Sequence, residues 1–421
     1  MSFVDYFKYV DNQYYGEELS LSEIAAKVGT PCYVYSRATI ERQWRVFDSA
    51  FDSYPHRVCY SVKANSNLAV LDVLTRLGSG FDIVSAGELH RVMRAGGDAG
   101  KIVFSGVGKS DTELCHALKA GVGCLNIESE SELHRIQAVA QELRVKAPIS
   151  IRVNPDVDAN THPYIATGLR DSKFGLGARD AERVFVLAAA MPNIEIKGIA
   201  CHIGSQLTET RPFIDSLEKL IDFIGQLARV GIGLSHIDIG GGLGIIYHNE
   251  SPPTPDQYAN ALINVLKRRK CNLPIIIQPG RAIVGNAGVL LTRVEYLKMS
   301  SDRNFAVVDA GMNDLLRPAL YQGFHEILPV RLSGSSTRHA YDIVGPVCES
   351  ADYLGKGRVL DIGEGDLLVV RSVGAYGFSM SSEYNSRLRL AEVMIDRDKY
   401  YVIRKRQTVD QSMENESLLP R

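Results

Sequence analysis

Residues 57–86 read RVCYSVKANSNLAVLDVLTRLGSGFDIVSA, a segment in which two short β-branched and aromatic runs flank an amphipathic stretch. In the middle stretch the apolar residues recur every three to four positions, as they do along one face of an α-helix. The flanking runs are apolar almost throughout, which is typical of strands buried on both faces. The segment is therefore predicted to be a β-α-β unit of a parallel sheet.

The same alternation continues to about residue 280. Eight runs have this strand character, at residues 57–64, 81–86, 102–106, 124–129, 149–155, 196–204, 236–241 and 274–280. Amphipathic stretches such as GELHRVMRA and DTELCHALKA lie between them. Eight strands that alternate with helices predict a (β/α)8 TIM barrel rather than a doubly wound sheet, and we place this domain at residues 37–285.

A second pattern begins after residue 285. Strand-like runs joined by Gly, Asp and Ser turns, with little helix between them, occupy residues 288–298, 305–310, 341–346, 366–372 and 391–403. An earlier run, PCYVYS at residues 31–36, precedes the barrel and is predicted to join them. We therefore predict a second, mostly β C-terminal domain built from residues 1–36 and 286–405, followed by a polar, mobile tail at 406–421.

Composition favours a small-molecule site. The net charge is -2, with 45% hydrophobic and 23% charged residues, which indicates neither a nucleic-acid groove nor attraction to a membrane surface.

Seven scattered cysteines without a Cys-x-x-Cys pair argue against a disulfide framework and against a zinc site, so no metal is expected. The start of the chain lacks a secretory pattern, and the purest apolar run, residues 184–191, is too short to cross a bilayer. A cytoplasmic protein is expected.

The candidate catalytic residues follow the predicted strands, because the reactive groups of such barrels lie at the carboxyl ends of the strands. Lys63 closes the first strand and Asp82 lies in the second. A lysine here can form a Schiff base if its surroundings depress its pKa, although a lone lysine is more often a solvated surface group. Asp82 could serve only to hold the adjacent loop SAGE.

Two further strand ends carry candidate groups. The sequence GGGLG at residues 240–244 could close backbone N–H groups on a phosphate, or could be only a tight turn. His202, beside Ser205, could lie flat on a cofactor ring or be a core histidine. A phosphate cradle and a candidate Schiff-base lysine on one face of a barrel indicate pyridoxal phosphate.

Eight motifs occur in order along the chain: YSVKANSN, FDIVSAGEL, HIGSQ, GGGLG, PGRAIVGNAG, DAGMNDLLRPALY, GPVCESADYLG and GAYGFSMSSEYNSR. Together they resemble the diaminopimelate decarboxylase family from about residue 5 to residue 400. The resemblance implies the alanine-racemase-like fold, or pyridoxal-phosphate fold type III. It also implies a carboxy-lyase that converts meso-2,6-diaminopimelate to L-lysine and carbon dioxide, the last step of lysine biosynthesis. It further implies a homodimer with shared active sites.

The resemblance also assigns roles to individual residues. Lys63 is expected to hold the cofactor, His202 to stack on its ring, and Asp82, Gln278, Gly280 and Arg281 to line its site. The phosphate contacts are expected to be Ser205, Gly241, Gly242 and Tyr376. The substrate contacts are expected to be Arg281, Arg317, Tyr321, Tyr376 and Glu349, with Glu349 facing an ammonium group. Cys348 resembles the proton donor and is expected to reach in from the other subunit.

One position departs from the family pattern. The family motif Glu-Pro-Gly-Arg is Gln-Pro-Gly-Arg here, with Gln278 in place of the glutamate that bonds the pyridine nitrogen. A neutral amide can donate or accept a hydrogen bond, but it does not hold the nitrogen proton by charge. We expect Gln278→Glu to raise the rate of the chemical step.

The charges of the candidate residues support diaminopimelate as the substrate independently of the family resemblance. Two rival hypotheses about the function remain. Diaminopimelate carries two carboxylates and two ammonium groups, which Arg281, Arg317 and Glu349 match in sign. An amino-acid racemase on the same fold would use a second acid-base group, commonly a tyrosine, where this chain has Cys348. A catalytically silent regulatory protein would be expected to lose Lys63 and Cys348.

Overall fold

The computed structural model describes residues 6–157, 173–333 and 338–421. The chain divides into two compact units. One, which we call the barrel unit, comprises Glu41–Ile246 and Glu250–Ile283. The other, the β unit, comprises Met1–Ile40, Tyr247–Asn249 and Val284–Arg421.

The elements of the described residues are as follows. The strands are β1 Phe7–Val10, β2 Gln13–Gly16, β3 Leu19–Ser20, β4 Cys32–Ser36, β5 His56–Ser61, β6 Gly80–Ile83, β7 Ile102–Phe104, β8 Cys124–Ile127, β9 Ala147–Arg152, β10 Ile194–Ala200, β11 His236–Asp238, β12 Ile275–Ile277, β13 Gly288–Lys298, β14 Asn304–Val308, β15 Ile327–Pro329, β16 His339–Val344, β17 Tyr353–Leu360, β18 Leu367–Val370, β19 Ala391–Asp396 and β20 Lys399–Arg404. The α-helices are α1 Leu21–Val28, α2 Arg37–Ala50, α3 Leu68–Arg76, α4 Ala86–Arg94, α5 Asp111–Ala120, α6 Glu130–Leu143, α7 Ala178–Ala189, α8 Arg211–Arg229, α9 Pro255–Arg268, α10 Arg281–Val284, α11 Arg317–Tyr321 and α12 Val409–Ser412.

The barrel unit is built on eight parallel strands. Strands β5 to β12 pair in chain order, and β12 returns to β5 to close the barrel. Each of the eight predicted runs overlaps one of these strands, so the predicted (β/α)8 barrel is confirmed. The runs are nearly continuous in apolar residues because one face of each strand fills the barrel interior and the other packs under the helices.

Several barrel helices begin with a side-chain cap in the segment that follows a strand. The capping side chains, each of which accepts a hydrogen bond from a backbone N–H of the first helical turn, are Asn67, Ser85, Ser110, Ser129 and Thr254. Ser110 and Thr254 form full capping boxes with Glu113 and Gln257. Ser85 and Ser129 come two residues after β6 and β8, so their helices begin at the carboxyl ends of the strands, the end of the barrel that we call the mouth.

In the β unit, β4 occupies the middle of the main sheet. It pairs antiparallel with β13 and parallel with β19. Its side chains alternate between two cores, with Tyr33 and Tyr35 in one and Cys32 and Val34 in the other. The run predicted to join the β domain thus forms a strand of this sheet, and burial of both faces explains why it is apolar.

Three features of the β unit differ from, or add to, the sequence-based description. Strands β1, β2 and β3 form a small separate sheet that the sequence did not indicate, because four-residue and two-residue strands carry too little periodicity. Tyr247–Asn249, placed in the barrel domain from sequence, belongs to the β unit, where the Tyr247 ring packs against His325. The predicted tail contains α12, capped by Thr408, and its mobility stays a prediction.

Candidate active site

Lys63 lies at the barrel mouth, in the 3-10 helix Val62–Ala64, which is one turn long and follows β5. Its Nζ donates to Asp82 Oδ2 at 2.9 Å. Asp82 is fully buried on the neighbouring strand β6 and also accepts from Ser61 Oγ at 3.0 Å and Ser105 Oγ at 2.7 Å. About a third of the Lys63 side chain, 37%, remains exposed. The chain thus presents an accessible amine on a rigid strand end, aimed by a buried carboxylate.

Because Asp82 bonds Lys63 directly, its role is not confined to holding the loop SAGE. That loop is organised by Ser85, which caps α4, and by Glu88, whose Oε2 accepts from Val84 N at 2.8 Å. Burial raises the pKa of Glu88 to about 7, against the opposing effects of the Val84 N–H and the Lys63 charge. Glu88 is therefore a second carboxyl in the electrostatic field of Lys63, able to gain or lose a proton near neutral pH.

His202 follows β10 and carries a neutral imidazole. Its Nδ1 lies 3.3 Å from Gly241 N, and because a backbone N–H only donates, Nδ1 is the acceptor and the proton sits on Nε2. Desolvation, together with the positive charges of Arg152 and Lys63, lowers its pKa well below the usual value. The residue is only partly buried. An uncharged, partly accessible ring can cover an apolar ligand face, which a fully enclosed core histidine cannot do.

The glycine loop after β11 is required by close backbone packing. A Cβ on Gly241 would lie 2.1 Å from Gln278 O, and a Cβ on Gly242 would lie 2.4 Å from Gly204 O. Gly242 also has φ +116, a conformation that L side chains rarely adopt. The loops that follow β10, β11 and β12 therefore approach one another more closely than side chains permit. This accounts for the glycines as a tight turn and leaves phosphate binding as a prediction.

Arg281 and Ser205 form a direct pair at the same end of the barrel. Arg281 is 7% exposed at the start of α10, and its Nη2 donates to Ser205 Oγ at 3.0 Å. The preceding residue, Gly280, is packed so tightly that a Cβ there would lie 3.0 Å from Ser61 Cβ and 3.1 Å from Ala64 Cβ. The PGR turn is therefore pressed against the Lys63 turn. A guanidinium and a hydroxyl side by side are donors suited to an anionic group.

Gln278 lies between the Lys63 turn and β11, with its amide buried. The backbone carbonyl oxygen of Gln278 lies 3.0 Å from Ser61 Oγ and shares the Ser61 hydroxyl proton with Asp82, and Gln278 Nε2 donates to Asp238 Oδ2 at 2.7 Å. Asp238 accepts two further hydrogen bonds, from Asn126 Nδ2 and Gly240 N, each at 2.9 Å. Burial raises the pKa of Asp238 to about 7, and the nearby Asp82 acts in the same direction, while the two donors oppose the rise.

The remaining predicted residues belong to the β unit. Arg317 and Tyr321 begin and end the short helix α11. Arg317 is 7% exposed, its Nη1 lies 2.7 Å from His325 Nε2, and its guanidinium carbon lies 4.4 Å from the centre of the Tyr247 ring. Because His325 Nδ1 faces Arg371 O at 2.8 Å and donates to it, Nε2 accepts from Arg317. This arginine is held in one orientation.

Cys348 and Glu349 lie on an exposed loop between β16 and β17. Cys348 N donates to Asn385 Oδ1 at 2.8 Å, and the Tyr384 hydroxyl donates to Glu349 Oε1. That hydrogen bond, more than any burial, raises the pKa of Tyr384. Tyr376 is partly buried and adopts a left-handed conformation with φ 57. Residues 346–350 and 381–386, which we call the Cys348 loop, are thus joined by hydrogen bonds at the surface.

The structure brings together all of the predicted residues that lie in the barrel unit. Contacts link Lys63 to Asp82, Gly280 to the Lys63 turn, Arg281 to Ser205, His202 to Gly241, and Gly241 to Gln278. Sequence reasoning missed Asp238, Asn126 and Glu88. The available signal was a polar residue inside an otherwise apolar strand, as in HIDIGGG, or just after it, as in SAGEL. Within the described residues, no cluster of His, Cys, Asp and Glu is arranged to hold a metal, and no helix is long and apolar enough to span a bilayer.

Comparison with known proteins reveals close relatives. The pyridoxal binding domain of pyridoxal-dependent decarboxylases matches residues 37–285. The diaminopimelate decarboxylase of Vibrio cholerae is 56% identical over 418 residues, which cover 99% of this chain and 100% of that protein. The crystal structure of diaminopimelate decarboxylase from Helicobacter pylori complexed with L-lysine is 42% identical with a TM-score of 0.90, and the match covers 94% of this chain and 99% of that one. The enzyme from M. jannaschii in complex with L-lysine is 36% identical with a TM-score of 0.94, covering 99% and 98% of the two chains.

Proposed function

This chain belongs to the pyridoxal-dependent decarboxylase family, and from that premise we propose that it removes carbon dioxide from meso-diaminopimelate and releases L-lysine. The observation that carries the proposal is the Lys63–Asp82 pair at the barrel mouth, in a chain that matches diaminopimelate decarboxylases over almost its whole length. A lysine on a strand end, held by a buried carboxylate, suits covalent chemistry better than packing.

The residues of the barrel mouth fit pyridoxal phosphate. Lys63 would supply the amine for the cofactor aldehyde, and the Arg281–Ser205 pair with Gly242 would supply donors for its phosphate, next to Gly241, whose N–H donates to His202. When bound, the cofactor supplies a ring that accepts the electron pair left behind as a carboxylate departs. The neutral imidazole of His202 suits the ring face because it brings no charge to repel a protonated ring. Gly280 keeps the PGR turn against Lys63, and Tyr376 completes the proposed phosphate contacts.

Asp82 keeps the Lys63 amine in place while other groups move. Its three hydrogen bonds to Lys63, Ser61 and Ser105 keep the carboxylate in one orientation. Because the pKa of Glu88 is raised to about 7, this neighbouring carboxyl can take up or release a proton as the charge on Lys63 changes.

We assign substrate recognition to side chains of positive and of negative charge. Arg281 and Arg317 provide guanidinium forks for carboxylates, with Tyr321 and Tyr376 as further contacts, and Glu349 provides a carboxylate for the distal ammonium. His325 and the Tyr247 ring keep Arg317 from swinging, which favours a bound carboxylate at a defined position. A substrate with a bare distal amine would leave the guanidinium groups without a partner.

Cys348 is the proposed proton donor, acting in a homodimer in which each subunit contributes to the other's site. Its thiol lies on the exposed Cys348 loop, where a second subunit can reach it. All seven cysteines are free, which supports a reducing compartment, and we propose that the protein works in the cytoplasm.

The test is direct. Purified protein should carry bound pyridoxal phosphate, visible in its absorbance spectrum, and should release carbon dioxide from meso-diaminopimelate with L-lysine as the product. Racemised substrate without carbon dioxide would indicate the racemase, and cofactor binding without turnover would indicate the regulatory protein. Either result would overturn the proposal.

A further inference from the structure

The orientation of the Gln278 amide is determined by its neighbours. Gln278 and Asp238 are 7% and 1% exposed, and Gln278 Nε2 lies 2.7 Å from Asp238 Oδ2. Above pH 7, where Asp238 is ionised, its carboxylate only accepts hydrogen bonds, so it faces the nitrogen of the amide and not the oxygen. The amide oxygen, Oε1, is therefore turned away from Asp238.

Asp238 is itself held by donors. Gly240 N donates to Oδ1, and because a backbone N–H never accepts, this hydrogen bond fixes one carboxylate oxygen. Asn126 Nδ2 donates to Oδ2 at 2.9 Å and lies 3.3 Å from Ser105 Oγ, which in turn donates to Asp82. A continuous hydrogen-bonded chain thus runs across the barrel interior from Lys63 to Gln278, so the carboxylate that orients the amide is itself held by several hydrogen bonds.

We propose that Asp238 is a positioning residue that holds the Gln278 amide so that its oxygen faces the pyridine nitrogen of the cofactor. The inference rests on the proposed function and deepens it. A neutral amide is ambiguous by itself, because its nitrogen would favour an unprotonated ring and its oxygen a protonated one. Asp238 removes the ambiguity, since it takes up the donor side of the amide and leaves the acceptor side for the ring.

The substitution Asp238→Asn should reverse the amide. With its oxygen still accepting from Gly240 N, the new side chain presents an NH2 group where Asp238 Oδ2 was. Gln278 and Asn126, which both donate to that position in the parent, must then turn their oxygens inward to accept, and the NH2 of Gln278 turns outward toward the ring. The ring nitrogen meets a donor instead of an acceptor and should lose its proton.

The double substitution Asp238→Asn with Gln278→Glu should restore the acceptor. The new amide at position 238 donates to one oxygen of the carboxylate at 278, and the second oxygen faces the ring. Gln278→Met keeps a side chain of similar length but offers neither a hydrogen-bond donor nor an acceptor. Its ring signal should resemble that of Asp238→Asn, and it replaces that variant in the test if Asp238→Asn does not fold. Ser150→Ala is the matched control, because it removes a buried hydroxyl from the same barrel that contacts Cys124 and His236 but not Gln278.

The readout is the ¹⁵N chemical shift of cofactor labelled at its ring nitrogen and bound to each protein. Measurements at about pH 8 keep Asp238 ionised in the parent, since its pKa is raised to about 7. We expect the parent, Ser150→Ala and the double variant to show a protonated ring, and Asp238→Asn and Gln278→Met an unprotonated one. The single-turnover rate of Asp238→Asn should fall about tenfold, equivalent to about 1.4 kcal/mol. Thermal unfolding checks that each variant is folded.

The alternatives are distinct. If the parent binds the cofactor and releases carbon dioxide, but Asp238→Asn leaves the ring signal unchanged while Gln278→Met alters it, the positioning role is wrong and the proposed function stands. If neither variant alters the signal, Gln278 does not face the ring, and the inference is equally overturned. A parent that binds no cofactor would overturn the proposed function and the inference with it.

Discussion

The barrel mouth and the Cys348 loop hold their polar groups in different ways. At the mouth, Asp82, Asp238 and Gln278 are nearly inaccessible, and strand ends and capped helices position them. On the Cys348 loop, Cys348, Glu349 and Tyr384 are exposed and joined by single hydrogen bonds. Buried polar groups must find partners or pay a large desolvation penalty, whereas exposed groups can exchange their partners for water.

The difference indicates what fixes the positions of the polar side chains in each region. The barrel mouth is organised within one chain, because its hydrogen bonds join neighbouring parallel strands. The Cys348 loop is anchored at its base, where Val347 N donates to Asp352 Oδ2 and Ser382 N donates to Asn313 O, but the exposed Cys348 side chain suits a role that is completed when another surface covers it.

The largest effect is expected for Lys63→Ala. Turnover should fall at least about 1,000-fold because the covalent attachment point is lost, while the urea midpoint should change little, since the side chain is partly exposed. Borohydride should fix the cofactor to the peptide that contains Lys63 in the parent. Lys101→Ala is the control, because Lys101 bonds Gly78 O at the entry to β7. Labelling of another lysine would contradict the assignment.

The second effect concerns the exposed loop. Cys348→Ala should lower turnover by about 100-fold, as loss of a positioned proton donor does. Mixing it with Lys63→Ala should restore part of the activity if each site takes Cys348 from the second subunit, since a heterodimer then contains one intact site. Cys115→Ala, which changes another accessible thiol, should behave as the parent. Absence of recovery when subunit exchange is independently demonstrated would place Cys348 elsewhere.

A third, smaller effect is expected for Gln278→Glu, with a pH dependence. The new carboxylate would face Asp238 at the position where the parent amide lies 2.7 Å away, and two like charges at that distance resist joint ionisation. The pair should therefore retain one proton and one negative charge near neutral pH, so a gain of about tenfold in the single-turnover rate should be present there and be lost as pH falls and the second carboxyl is protonated. The double variant with Asp238→Asn should keep the gain to lower pH, because its lone carboxylate accepts a hydrogen bond from the new amide. A rate that falls as pH rises in Gln278→Glu would refute this account.

The smallest effect is expected for Tyr384→Phe. It removes the hydrogen bond to Glu349 on an exposed loop, where water replaces the lost partner. The urea midpoint should not change measurably, and only the KM for diaminopimelate should rise modestly if Glu349 becomes less well oriented. Tyr401→Phe, at another exposed tyrosine, is the control. A substantial loss of stability would show that the Cys348 loop is supported more rigidly than its contacts indicate.

The amino-acid sequence alone determined the architecture and most of the candidate residues. Alternation of strand and helix periods predicts the barrel because burial of apolar side chains is a local, periodic requirement. Lys63, His202 and the glycine loop could be located because strand ends are visible in the sequence, and strand ends meet at one face of a barrel.

Only the tertiary structure decided how those groups are paired. Asp82 bonds Lys63 across 19 positions of sequence, Asp238 bonds Gln278 across 40, and Asn126 bonds Asp238 across 112. The His202 tautomer depends on a backbone N–H at Gly241, and the direction of the Gln278 amide depends on a carboxylate from the neighbouring strand. Sequence patterns show which residue types occur at the barrel mouth, but the direction of a hydrogen bond depends on three-dimensional neighbours, which exist only once the strands have closed.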